Sequence, residues 1–148
     1  MFPSPSFSPH PLVMSTFKLS YLGDAWYELW CRQYALAHSQ HAGRVHQQVV
    51  QLVRCQTQAR LMKAFLPYLS KEEYDIFRRG KNSKHLSCPP HATMAQYRLA
   101  TGFECLVGAW YLQNQSQRFE ELIHQKTIHE LFQEILVFDI SEEKEIAL

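Results

Sequence analysis

The sequence predicts an all-α fold, a helical bundle of one domain, from three observations. Apolar residues recur at steps of three and four through most of the chain, whereas no segment alternates as a β-strand would. Helix-start signals precede several of these stretches, and prolines and glycines separate them. With 148 residues, 46% of them hydrophobic, the chain is long enough to bury one sizeable core but too short for a second full domain.

The first half of the chain predicts a leader and three helices. The leader, residues 1–15, contains four prolines among serines, which favours extended backbone, so we expect it to be disordered. Helices are then predicted over about residues 17–37, 43–54 and 57–65, each on an apolar stripe with helical spacing. The third helix ends before Pro67, because the residue that precedes a proline is disfavoured in helical geometry.

The second half begins with a capping-box pattern. Ser70 and Glu73 predict a helix from that point to about Arg79, and Gly80 is expected to end it. Residues 81–93 contain two adjacent prolines and no apolar period, which predicts a loop. Two further helices are predicted over about residues 94–112 and 118–135, followed by a short acidic tail, residues 137–148.

Composition limits the class of protein. The four cysteines show no Cys-x-x-Cys pairing, which argues against a zinc ribbon or a disulfide scaffold and favours reduced thiols in the cytoplasm. No apolar run approaches the roughly 20 residues of a membrane-spanning helix, and no secretory signal is read at the N-terminus. We therefore expect a cytoplasmic protein with no membrane partner.

The net charge of +1 conceals an uneven distribution of charge. Residues 29–103 contain eleven basic and three acidic residues, a net charge of +8, whereas residues 104–148 contain three basic and nine acidic residues. The basic residues are densest in residues 78–84, where long cationic side chains could bind successive phosphates of a nucleic acid. The alternative is structural, because cations near a helix C-terminus also complement the helix dipole.

Two carboxylates lie in apolar stretches that are predicted to be mid-helix. Asp24 follows Gly23 directly, and Glu104 comes two residues after Gly102. A glycine inside a helix costs about 1 kcal/mol relative to alanine, so its presence indicates a close backbone approach or room for a ligand. If the two helices cross there, Asp24 and Glu104 converge and provide oxygen ligands of the kind that hold Mg²⁺ beside a phosphate.

A structural role for these acids is the alternative, and spacing alone favours it. Buried carboxylates are usually paired with an arginine or satisfied within a polar pocket. Glu28 lies four residues after Asp24 on nearly the same helix face. We expect Glu28 to form a salt bridge rather than to join the site.

Both acidic stretches resemble motifs of one family. Residues 21–28, Tyr-Leu-Gly-Asp-Ala-Trp-Tyr-Glu, resemble the signature helix of the ribonuclease III family, and residues 101–108, Thr-Gly-Phe-Glu-Cys-Leu-Val-Gly, resemble its second acidic motif. The basic segment between them, followed by Tyr97 and Arg98, is similar to that of the Mini-III branch, which has the catalytic domain without a double-stranded-RNA-binding domain. The resemblance covers about residues 17–135.

The resemblance implies an all-helical catalytic domain, here residues 16–136, that works as a homodimer and cuts double-stranded RNA with Mg²⁺. Asp24 and Glu104 carry over as the catalytic and metal-binding acids, and family analogy places Tyr21 at the dimer interface. Maturation of precursor ribosomal RNA, that of the large subunit, is the role that the resemblance suggests. Because no RNA-binding domain is appended, we expect the basic side chains of this domain to hold the duplex: Arg78, Arg79, Lys81, Lys84 and Arg98.

Two positions depart from the family pattern. The family's usual Glu four residues before the Asp is Ser20 here, and its usual Asp three residues before the Glu is Thr101, so two of four acids are kept. The metal affinity and the number of bound ions therefore stay open. One alternative function is a non-catalytic RNA-binding or ribosome-assembly factor. Another is a helical interaction module with no RNA role, whose basic segment is simply a solvated face.

Overall fold

The protein is described by a computed structural model that covers residues 10–84 and 88–146, with the backbone alone described over residues 137–146. Seven α-helices and no strand occur within these ranges, as the periodicity predicts. Short 3₁₀ turns lie at Pro11–Val13 and Leu66–Tyr68. The helices are α1 Thr16–His38, α2 Ala42–Val53, α3 Cys55–Phe65, α4 Lys71–Lys81, α5 Met94–Leu112, α6 Gln117–Ile123 and α7 Lys126–Ile146.

Helix α5 is the centre of the bundle and packs against α1, α3 and α4. Phe103 and Trp110 of α5 are at most 2% exposed and belong to the main core, together with Tyr27 of α1 and Phe65 of α3. The Tyr27 hydroxyl donates a hydrogen bond of 2.7 Å to the carbonyl oxygen of Leu52, which satisfies the one polar atom of this buried ring. The core thus fixes α1 and α5, which carry the two acidic motifs, relative to each other.

Glycines bring the backbones of α1 and α5 into direct contact. A Cβ atom on Gly23 would overlap the carbonyl oxygen of Glu104, and a Cβ atom on Gly108 would overlap the carbonyl oxygen of Leu19. No side chain fits at either position unless the helices move apart. The close approach that the glycine beside Asp24 predicts is therefore present.

Gly80 does not end α4, in contrast to the sequence prediction. The helix continues to Lys81, and Gly80 is buried where α4 crosses α5. A Cβ atom there would lie 2.8 Å from the Cys105 Sγ atom and 2.9 Å from the Gly102 Cα atom. The glycine is needed for helix packing, and local sequence does not distinguish this use from a helix stop.

The chain ends also differ from expectation. Residues 10–15 of the expected leader are ordered, with Met14 only 4% exposed, while residues 1–9 lie outside the described part of the chain. The single helix predicted over residues 118–135 is two helices, because His124 ends α6 and its ring nitrogen pairs with the Glu120 carbonyl oxygen at 2.6 Å. Helix α7 then runs to Ile146, beyond the expected end near Ile135. No helix in the described part of the chain is both long and apolar enough to span a membrane.

Candidate active site

A cleft of about 450 Å³ opens beside the crossing of α1 and α5. Asp24 and Ser20 line it from α1, and Glu104 and Thr101 line it from α5. Gln58 of α3 also lines the cleft. The structure therefore brings together the two acids that the sequence singles out and the two hydroxyl residues that depart from the family pattern.

The electrostatics of the cleft favour a bound cation. Burial, and then the neighbouring charge of Asp24, raise the pKa of Glu104 from 4.5 to about 8, against a hydrogen bond from the Gln58 side chain that lowers it. The pKa of Asp24 is also raised, by burial and then by the charge of Glu28. Neither acid forms an ion pair with a basic side chain of the described residues. Two carboxylates without such a partner are stabilised by an added positive charge.

Glu28 pairs outside the cleft, as expected. Its carboxylate lies 3.2 Å from the Arg32 guanidinium one helical turn further along α1, and the Arg32 and Glu28 side chains are 63% and 42% exposed. The salt bridge is therefore a surface interaction of small stabilising effect.

Ser20 and Thr101 each use their hydroxyl proton within their own helix. The Ser20 hydroxyl donates to the Phe17 carbonyl oxygen at 3.2 Å, and the Thr101 hydroxyl donates to the Tyr97 carbonyl oxygen at 3.0 Å. A hydroxyl whose proton is engaged presents only acceptor lone pairs to other groups. Both residues thus offer neutral oxygen acceptors to the cleft rather than charge.

Gln58 is a residue of the cleft that the sequence prediction missed. It is 2% exposed, and its Nε2 atom donates a hydrogen bond of 2.9 Å to the Val53 carbonyl oxygen. The available signal is its position, because Gln58 shares the α3 face of the buried Leu61, Met62 and Phe65 and is the polar member of that stripe. A buried polar residue on an apolar stripe is the more informative observation.

The donor set of the cleft fits Mg²⁺. Among the described residues no group of three or more His, Cys, Asp or Glu side chains is arranged to hold a metal ion. Mg²⁺ does not need such a cage, because it is commonly held by one or two carboxylates, with water and substrate phosphate supplying the other oxygens. Asp24 and Glu104 provide these two carboxylates in one cleft.

The predicted RNA-contact residues separate into two groups. The side chains of Arg78, Lys81, Lys84 and Arg98 are exposed, and the neighbouring Ser83 and Tyr97 line the cleft. Arg79 is instead half-buried, and its guanidinium donates to the carbonyl oxygens of Met14 at 2.7 Å and Pro11 at 3.4 Å. Arg79 therefore holds the segment that precedes α1 against α4.

Tyr21 lies at the surface of α1, on the side next to the cleft. Its side chain is 71% exposed and stacks on Phe17, with ring centroids 5.5 Å apart. Leu29 and Leu36, further along α1, and Val50 of α2 are each at least half exposed as well. The outer faces of α1 and α2 are thus unusually apolar for surface that faces water.

Comparison with known proteins identifies the family. The ribonuclease III domain matches residues 18–115, so the chain belongs to the ribonuclease III family and is an endoribonuclease. This family is generally metal-dependent and acts on double-stranded RNA.

Similar proteins indicate which group within the ribonuclease III family the chain resembles. Mini-ribonuclease 3 of Clostridium tetani is 33% identical over 123 residues, which cover 82% of this chain and 80% of that protein. Mini-ribonuclease 3 of a Synechococcus species is 42% identical over 112 residues, which cover 76% of this chain and 80% of that protein. A crystal structure of a Fusobacterium nucleatum protein superposes with a TM-score of 0.68 and 30% identity, covering 75% of this chain and 89% of that one. The chain therefore resembles the Mini-ribonuclease 3 group along most of its length.

Proposed function

We propose that the protein is a Mg²⁺-dependent endoribonuclease that cleaves double-stranded RNA. The observation that carries the proposal is the convergence of Asp24 and Glu104 in an open cleft, at a crossing where glycines bring two helix backbones into contact. In this role the two carboxylates hold the cation, and Ser20 and Thr101 contribute neutral acceptors beside it. When bound, Mg²⁺ would neutralise charge on the scissile phosphodiester and lower the pKa of the attacking water.

A cleavage assay with matched variants tests this function. Wild-type protein should cut duplex RNA in Mg²⁺ and not in EDTA, and Asp24→Asn and Glu104→Gln should each lose the cleavage. Glu130→Gln is the control, because Glu130 is an exposed acid of α7 that does not line the cleft. Binding of duplex RNA without cleavage by the wild-type protein would instead support the RNA-binding or assembly role.

The exposed basic side chains beside the cleft are proposed to bind the RNA backbone. Arg78, Lys81, Lys84 and Arg98 extend from the end of α4, the segment after it and the start of α5, and so flank the cleft. Without a separate RNA-binding domain, phosphate and 2′-hydroxyl contacts on this domain would have to hold the duplex. Arg79 acts indirectly in this proposal, because its guanidinium binds the backbone of residues 11–14.

Salt-dependent binding tests the RNA interface. Arg78→Ala combined with Lys81→Ala should weaken binding to any duplex and reduce the slope of affinity against salt concentration, since each lost phosphate contact reduces counterion release. Arg60→Ala combined with Lys63→Ala is the control, because both are exposed cations of α3 that do not line the cleft. Equal salt slopes for the two double variants would contradict the proposal.

The apolar outer face of α1 supports a homodimer. Phe17, Tyr21, Leu29 and Leu36 lie along one helix, and a groove of about 680 Å³ between α1 and α2 continues this surface. Tyr21→Glu should give a monomer in analytical ultracentrifugation at micromolar concentration, whereas Tyr111→Glu on α5, also an exposed tyrosine, should leave the dimer intact. A monomeric wild-type protein would contradict the proposal.

Precursor ribosomal RNA of the large subunit is the proposed substrate, in the cytoplasm, where the four free thiols remain reduced. The support is the similarity to Mini-ribonuclease 3 relatives over most of the chain. The terminal stem of a large-subunit precursor should be cut at defined positions, whereas an unrelated duplex of equal length should be cut more slowly. Equal rates on both would remove the support for this substrate.

A further inference from the structure

Gln58 joins the end of α2 to the acid of α5 through one amide group. Its Nε2 atom donates to the Val53 carbonyl oxygen at 2.9 Å. Its side chain also lines the cleft together with Glu104 and, as a donor, lowers the pKa of that acid. An amide nitrogen carries two hydrogens, so one remains for the neighbouring carboxylate after the other has bonded to Val53. The Val53 bond fixes the orientation of the amide, because a flip would turn its oxygen toward that carbonyl oxygen.

The amide oxygen of Gln58 shows that the residue does more than fill space. Oε1 is buried and has no hydrogen-bond partner among the described residues. A buried acceptor without a partner costs at least as much free energy as a typical single hydrogen bond returns. Methionine would fill nearly the same volume without that cost, so packing alone does not account for a glutamine here.

Capping of α2 does not account for Gln58 either. The hydroxyl of the neighbouring Thr57 donates to the Gln51 carbonyl oxygen at 2.6 Å, which already ties the last turn of α2 to α3. Thr57, like Gln58, is 2% exposed, but it does not line the cleft. Gln58 differs from Thr57 in its place beside Glu104 in the lining of the cleft.

We propose that Gln58 is a positioning residue for the metal site: its amide holds the Glu104 carboxylate in place beside Asp24. The inference rests on the proposed function, because it assumes that these two carboxylates hold Mg²⁺. Partners that orient ligating carboxylates contribute strongly to metal binding, and their removal typically costs about 10- to 100-fold in affinity or activity. Gln58 is anchored at Val53, so it transmits the position of the α2–α3 junction to the α5 carboxylate.

Mg²⁺ binding by the full chain, measured by isothermal titration calorimetry without RNA, tests the inference. Gln58→Met should raise the dissociation constant for Mg²⁺ by about 10- to 100-fold. Thr57→Val is the matched control, because it removes an equally buried bond to the same end of α2 without touching Glu104. It should lower the melting temperature and leave the Mg²⁺ dissociation constant unchanged.

Cleavage kinetics give a second measurement. Gln58→Met should lower kcat at subsaturating Mg²⁺ with little change in KM for duplex RNA, and saturating Mg²⁺ should restore much of the rate. If Gln58→Met does not fold in the absence of metal, Gln58→Asn replaces it, since it keeps an amide that is one methylene too short for both acceptors.

The outcomes separate this inference from the proposed function. A folded Gln58 variant that binds Mg²⁺ and cleaves RNA as wild type does would overturn the positioning role and leave the endonuclease function standing. Failure of both Gln58 variants to fold would make Gln58 a structural residue and overturn the inference as well. A wild-type protein that neither binds Mg²⁺ nor cleaves duplex RNA would overturn the proposed function, and the inference with it.

Discussion

Removal of the Glu104 charge should stabilise the metal-free protein while it destroys the proposed activity. Burial and the Asp24 charge raise the pKa of Glu104 to about 8, from 4.5 for an unperturbed side chain. A carboxyl with a higher pKa in the folded state than in the unfolded chain binds its proton more tightly when folded. Its contribution to stability is complete below pH 4.5 and is lost progressively as the pH rises to about 8.

The size of the effect follows from the shift in pKa. One pKa unit corresponds to about 1.4 kcal/mol, so the loss for wild-type protein is slightly above ~3 kcal/mol at pH 7, with an upper limit of about 5 kcal/mol above pH 8. Solvent in the open cleft screens the charge and makes the measured value smaller than this limit. Glu104→Gln carries no charge at any pH, so it should match wild type near pH 4 and exceed its stability by about 2 to 3 kcal/mol at pH 7.

Urea denaturation in EDTA at pH 5, 7 and 8.5 measures this difference. The comparison is between wild type and Glu104→Gln at each pH, so that contributions from groups remote from Glu104 cancel. Glu130→Gln, which removes a carboxylate on the exposed face of α7, is the control. A Glu104→Gln variant whose stability runs parallel to that of wild type from pH 5 to 8.5 would refute the reasoning.

Four further substitutions test the fold and the site. Gly23→Ala should cost at least about 1 to 3 kcal/mol in urea denaturation and abolish cleavage, because its Cβ atom would overlap the Glu104 carbonyl oxygen. In contrast, Gly43→Ala should stabilise α2 by up to about 1 kcal/mol, because its Cβ atom would lie 3.4 Å from the His41 ring, an ordinary contact distance. Arg118→Met should lower the free energy of unfolding by about 2 kcal/mol at pH 7, because the ionised carboxylate of Glu73 binds Arg118 at 3.0 Å. The effect should shrink as the pH falls through the lowered pKa of Glu73, and an equal effect at low pH would contradict this. Thr101→Asp should lower the stability of the metal-free protein and tighten Mg²⁺ binding in calorimetry, because it adds a third carboxylate to the cleft; unchanged Mg²⁺ affinity would contradict this.

Signals that act within a few residues are sufficient to predict most of the fold. The capping box of Ser70 and Glu73 is present, and helix α5 has the predicted bounds, because a Thr93–Gln96 capping box starts it. The prediction that Gly80 ends α4 is wrong, because a helix stop and a helix crossing both require a small residue. Contact with Cys105 and Gly102 of α5 decides between them, and that contact is distant in sequence.

The residues of the candidate site likewise include some that local sequence predicts and some that only the fold reveals. Asp24 and Glu104 were found because each stands beside a helix glycine in an apolar stretch, a pattern visible in the chain itself. Gln58 cannot be identified in this way, because only the packing of α2, α3 and α5 brings it close to Val53 and Glu104. Arg79 looks like its basic neighbours in sequence, and only the fold shows that its guanidinium binds the carbonyl oxygens of Pro11 and Met14.

The replacement of two acids of the family pattern by Ser20 and Thr101 reduces the repulsion between carboxylates in the metal-free cleft. Each added carboxylate beside Asp24 and Glu104 would raise their pKa values further and cost more stability in the metal-free protein. Ser20 and Thr101 avoid this cost, since their protons are engaged by carbonyl oxygens of their own helices and only neutral acceptors remain. The smaller number of carboxylates also lowers the attraction for a cation, so metal binding depends more on the position of each carboxylate that remains. The proposed positioning of Glu104 by the buried Gln58 amide, whose own oxygen is unpartnered, is therefore expected to matter more in a site with two acids than in one with four.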